Sequence, residues 1–343
     1  MVFKRLLGAL GVGAPTVDTV LDGSAVPGGT LRGEVRLKGG DADYEVEQVT
    51  LDLVARVEAE HEEGEAEGTV SFGRFTVGGG FRLAAGTEHA VPFAVTLPWE
   101  TPLTELHGQH LGVVLGVRTE LAVAGARDKG DLDALAVTPT PAQEAVLEAL
   151  GQLGFGFASA DVELGHIHGT GQQLPFYQEI ELTPAPQYAH ALHELEVTFL
   201  ASPAGVEVVL EADKRGAGPF GAFGGGDALN RHVVPHEGVA DRDWVAEVDA
   251  WLRALVDARA AYAASGTDHG HPYGAHPGKD GHHHAGHHGS GSGVGAAVAA
   301  GAAGLAVGVV GGMVAAEVVD EIGDAFEGDD EGDDEGGDEG EEG

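Results

Sequence analysis

The chain contains no cysteine among its 343 residues. Disulfides, zinc–thiolate centres and thiol catalysis are therefore excluded. Basic residues are scarce: 18 Lys and Arg face 56 Asp and Glu, giving a net charge of -38. Such a balance repels phosphate backbones, so nucleic acid is not an expected partner. Tryptophan and methionine are also rare, at 3 and 2 residues. Ala, Gly and Val abound, which says nothing about activity. No secretory leader is expected. Lys4 and Arg5 begin like one, but the apolar run from Leu6 soon meets Pro15 and offers no cleavage site. The expected location is cytoplasmic, with membrane association through the C-terminal tail left open.

What is present is mostly β patterning. Residues 17–21, 31–37 and 46–57 alternate apolar and polar side chains, the period of half-buried strands. Further strands are expected at 71–77, 89–97 and 111–123. Clusters at 26–29, 38–41 and 77–80 supply the Gly, Pro and Asp that turns require. Residues 58–68, mostly Glu, Gly and Ala, read as a solvated hairpin loop. Together these runs predict an antiparallel sandwich. The segment 91–102 begins as a strand and ends in a Pro-rich corner, where Trp99 is expected to plug the end of the sandwich.

Near Pro139 the pattern changes. Thr140 is a suitable N-cap, Pro141 suits the first helical position, and Glu144 lies in the first turn. A short helix follows and ends at Gly151 or Gly154. Strands are then expected at 158–164, 177–182, 192–200 and 205–215. From Asp241 an amphipathic helix places Trp244, Val248, Trp251, Leu252 and Leu255 on one stripe for packing. The expected divisions are a first β-sandwich over 1–139 and a second with its closing helix over 140–264. A His/Gly-rich linker (265–292), an Ala/Gly/Val helix (293–316) and an acidic disordered tail (317–343) complete the chain.

Five segments resemble the bacterial sporulation-control proteins of arrestin-like fold. They are residues 3–29, the Val91–Phe93 and Leu97–Pro102 pair, residues 118–133, residues 174–182, and residues 192–197 with 211–215. Their order and spacing carry the resemblance over roughly residues 1–255. It implies two tandem arrestin-like β-sandwiches and a non-enzymatic regulatory role in sporulation or cell development, exercised through contacts with protein partners not identified by the sequence. It supplies no catalytic residue and no cofactor. An extended partner segment would be accepted at an exposed sheet edge, with 177–182 and 192–200 as candidate strands.

His269, His271, His276, His282, His283, His284, His287 and His288 would bind zinc or nickel weakly, because intervening glycines impose no geometry. A metal-handling or pH-responsive protein is accordingly the alternative reading of function. Gly289–Ala316 carries no charge and as a helix would span about 40 Å, more than a bilayer core. Gly301, Gly304, Gly308 and Gly312 would line one side of it, suiting membrane tethering or self-association. Residues 317–343 hold fifteen acids and no base, which suits a solvated tail. Asp128, Asp131 and Asp133 lack calcium-loop spacing and read as a turn into a strand at 135–137. Glu163, His166 and His168 read as strand surface. Phe3, Leu6, Leu7 and Leu10 are expected to pack internally.

Deleting 265–343 is expected to leave the β region folded and to change location or assembly. Fractionation with salt and carbonate washes, beside circular dichroism of the shortened chain, measures both.

Overall fold

The computed structural model describes residues 13–61, 64–124, 129–212 and 231–265. The segment from Phe3 to Leu10, the His tract and the glycine stripe lie outside these residues. Strands dominate, as the alternation predicted. β1 (Thr16–Leu21), β2 (Thr30–Lys38) and β6 (Glu88–Thr96) form a three-stranded antiparallel sheet in the order β1-β2-β6. Along β2 the even-numbered positions 30–38 face outward, while Leu31, Val35 and Leu37 are buried. Pro92 is tolerated because β6 is an edge strand of this sheet among the described residues.

Opposite lies the larger sheet. Its first part comprises β3 (Tyr44–His61), β4 (Gly64–Gly78), β5 (Phe81–Leu83), β9 (Leu115–Val123) and β10 (Lys129–Ala134). β3 is its centre, pairing with β4, β5 and β9. The stretch 58–68, expected as a loop, instead extends the β3–β4 hairpin: Glu58 pairs with Glu67 and Ala59 with Ala66. Backbone ladder bonds outweigh the poor strand propensity of Glu, Ala and Gly there. The run expected at 111–123 becomes a strand only at Leu115. Ahead of it stands a small hairpin, β7 (Glu105–Leu106) and β8 (Gln109–His110). Asp131 and Asp133 do not form a turn. They sit within β10, opposite Thr119 and Val117 of β9.

Helix α1 (Pro141–Leu153) follows, and its ends match the sequence signals. Thr140 and Gln143 form a capping box, while Gly154 closes the helix in the left-handed region at φ 97°. The second half contains β11 (Gly156–Leu164), β12 (Phe176–Thr183), β13 (Leu195–Ser202), β14 (Gly205–Ala212) and β15 (Arg231–Pro235) in consecutive antiparallel order. A parallel bridge between Glu163 and Glu58 joins this run to β3. Helix α2 (Trp244–Ser265) contributes Val248, Leu252 and Leu255 to the interior. One apolar core runs through both halves.

The outer face of β3 carries a buried charge. Asp52 is 1% exposed and lies between its cross-strand neighbours Arg74 and Arg118, at 3.4 and 3.3 Å. Arg74 also reaches Glu120 at 2.6 Å. Burial raises the Asp52 carboxyl above its ordinary value, and the two guanidiniums act against that rise. A second acidic locus joins the two sheets: the Thr19 amide donates to Asp131 Oδ2 at 2.7 Å. Beside it, burial and then the neighbouring Asp131 carboxyl push Asp133 up to about 7.

The unfolded chain releases the Asp133 proton near pH 4, whereas the folded protein retains it to about pH 7. The folded state therefore binds more protons in that window, and this group's contribution to stability declines as pH rises through it. Asp133→Asn should raise the thermal midpoint by a few degrees at pH 8 and leave it unchanged at pH 4.

Candidate functional site at the Trp99 corner

Leu97 leaves β6 and the Pro98–Trp99–Glu100 corner turns toward the second half. The corner is fixed by two main-chain bonds, Leu97 N–H to Gly29 O at 2.9 Å and Gly28 N–H to Pro98 O at 3.2 Å. Gly28 is required here. Its φ is 70°, and a Cβ at this position would come within 2.4 Å of the Trp99 ring. Trp99 does more than close the first sandwich. Its other neighbour is His236 of the second half, at a centroid distance of 5.0 Å. His236 Nε2 lies 2.8 Å from the Ser202 carbonyl oxygen.

Glu100 makes the next link across. Its carboxylate accepts the amide of Gln173 at 2.8 Å and that of Leu174 at 2.8 Å. Burial raises its carboxyl, and the two amides act in the opposite direction. The segment it holds is organised by Gln172, whose side chain bonds the backbone of Ile167, Gly165 and Leu174, each at 2.8 Å. His166 and His168 therefore belong to a loop after β11, not to strand surface, and point outward on either side of buried Ile167.

Between the corner and the β13–β14 turn lies an open groove of about 580 Å³. Its walls include Trp99, Leu174, Leu200, Pro203, Val206 and Val233. Val233 is 75% exposed and belongs to β15, the last strand of the sheet among the described residues. A smaller hollow of about 280 Å³ on the other flank of Trp99 is lined by Val26, Pro27, Pro141 and His236, among others. The arrangement offers alkyl and aromatic surface with a carboxylate already committed to backbone amides. That chemistry suits recognition of an apolar segment.

The strands expected to receive a partner, 177–182 and 192–200, fall on β12 and β13, which lie inside the sheet. Among the described residues β15 takes the outer place. Two groups of ligand-type side chains also meet among the described residues: His107 with Glu144 and Glu148, and Glu181 with Glu194 and Glu196. The sequence signalled neither, because each draws on separate elements. No helix among the described residues is long and apolar enough to cross a membrane.

Comparison with known proteins agrees with this architecture. The family model described as SpoOM protein matches residues 3–216. The sporulation-control protein spo0M of Bacillus subtilis strain 168 is 34% identical over 253 residues, covering 72% of this chain and 95% of that protein. The crystal structure of Spo0M, sporulation control protein, from Bacillus subtilis superposes with a TM-score of 0.63 at 32% identity. That superposition covers 72% of this chain and 99% of the crystallised one.

Replacing Glu100 by Ala strips the Gln173 and Leu174 amides of their acceptor. The expected loss is about 1 kcal/mol in urea denaturation. Faster hydrogen exchange at Leu174 should accompany it, with little change in the core of β3.

Proposed function

The chain belongs to the SpoOM family of sporulation-control proteins, and from that footing we propose that it is a non-enzymatic regulatory module that binds a protein partner in the Trp99 groove. The observation that carries the reading is the groove itself, with exposed Val233 on its rim and a rigid corner as its wall. The partner offers an extended segment, apolar at its centre and basic at its flanks. Apolar side chains would cover Trp99, Pro203 and Val233. Basic flanks answer the net charge of -38, which steers cationic surfaces toward this protein and repels acidic ones. Main-chain pairing along β15 would add register and direction, as in strand addition.

In this reading the protein acts in sporulation or cell development by occupying or presenting its partner, with no bond made or broken. The segments past Ser265 would set where the molecule sits or how it clusters, through the glycine stripe at Gly301, Gly304, Gly308 and Gly312. The His tract would take up zinc or nickel only weakly.

Val233→Asp places a charge on the apolar rim of the groove. Partner affinity should fall about 10- to 100-fold, and a strain carrying this variant should lose developmental control while the thermal midpoint holds. Ala94→Asp, on the outer face of β6, should behave as wild type. Full function in the Val233→Asp strain would refute the groove as the contact.

A further inference from the structure

We propose that His107, Glu144 and Glu148 form a binding site for one divalent first-row cation of the zinc class, clasping the β7–β8 hairpin onto helix α1. Nε2 of His107 lies 3.1 Å from Oε1 of Glu144 and 3.5 Å from Oε1 of Glu148. One ligand atom from each of the three residues falls within 4.8 Å of the other two. Zinc bonds of about 2.0–2.2 Å in tetrahedral geometry put neighbouring ligand atoms about 3.4 Å apart. The two separations from His107 fall close to that spacing before any ion enters, and the two carboxylates lie within 4.8 Å of each other. Each side chain is about half exposed, at 54%, 44% and 50%, which leaves the fourth position to water.

A simple ion pair accounts for only part of this arrangement. A ring nitrogen carries at most one hydrogen, and that hydrogen has one preferred direction. Here a single nitrogen faces two carboxylates on different turns of one helix. A cation among the three atoms would engage all of them at once. The donor set, one imidazole and two carboxylates, suits zinc and its first-row neighbours and is poorly matched to copper(I) or to iron–sulfur chemistry.

Both arms of the site are held in place. Glu144 and Glu148 are four residues apart on α1 and so share a face. The rotation of that face is set by the Thr140–Gln143 capping box. His107 is the one described non-glycine residue in the left-handed region, at φ 51°, and Gly108 follows at 76°. Two left-handed residues make a tight primed turn, which aims the ring at the helix. The base of the hairpin is tied down as well. The Thr104 amide donates to Val137 O at 3.0 Å, and the Val137 amide returns a bond to Thr104 Oγ1 at 2.8 Å. Val137 stands just ahead of α1. Hairpin and helix thus share one buried anchor, so little ordering remains for the ion to impose.

The site shares no residue with the His269–His288 tract, so the two can be separated. The test uses the full chain with His269, His271, His276, His282, His283, His284, His287 and His288 all changed to Gln. Calorimetric titration with zinc chloride should give one saturable site per chain in the micromolar range. His107→Asn retains the left-handed turn, which Asn tolerates well, and removes the imidazole. Glu148→Gln retains the helix and removes a charge. Each should weaken zinc about 10- to 100-fold with the zinc-free thermal midpoint preserved. Unchanged affinity in both variants, or only millimolar, non-saturating uptake by the parent, would overturn the proposal.

Discussion

Strand β3 is the constraint on which the other elements depend. It pairs with β4, β5 and β9 and touches β11 through a parallel bridge. Leu51, Leu53 and Ala55 are fully buried on it, and so is Asp52. A strand covered on both faces usually reads as continuous hydrophobic sequence. Here the outer face is closed by ion pairs, with Asp52 held by Arg74 and Arg118 in direct cross-strand register. A carboxylate in that position costs desolvation and repays it only with its partners in place. The network therefore fixes register more than it adds stability, since a slip of one residue would strand Asp52 without its guanidiniums.

The two halves are coupled at the Trp99 corner by several independent links. Trp99 meets His236, Glu100 holds the Gln173–Leu174 amides, and Gln178 exchanges two hydrogen bonds with the backbone of Leu103. Tyr188 ties the second half's sheet connection to α2 through Asp249. The Trp99 groove lies at the place where these links converge, and its walls come from both halves. A partner seated there would sense their relative placement.

The sequence made regular elements legible wherever burial acts through periodicity. β2 alternates without fault, and α1 has its N-cap, its first-turn proline and its terminal glycine in order. It failed where structure arises from pairing rather than from pattern. The distal β3–β4 hairpin has no apolar alternation, yet its backbone ladder continues past Glu58. β7 and β8 have two residues each, too few for any period to appear. The candidate site was harder still. The Pro-rich corner marks Trp99 in the sequence, but its contact with His236 spans more than a hundred positions, and nothing local to either residue announces it. Gln172 organises a whole loop with one side chain, and a lone glutamine carries no sequence signal. β12 and β13 looked like receptive strands because they are regular, and regularity here reflects their interior place.

The pairing of distant segments also sets the tempo of folding. Ala25 bridges to Val137, and Thr19 waits for Asp131 before its amide finds an acceptor. Contacts so far apart in the chain make the search slow. During synthesis β1 and β2 must stand in water long before the sheet they cover exists. The outward row of Arg32, Glu34, Arg36 and Lys38 is suited to that interval. It lets the young hairpin stay dissolved and discourages its edges from joining those of a neighbouring nascent chain.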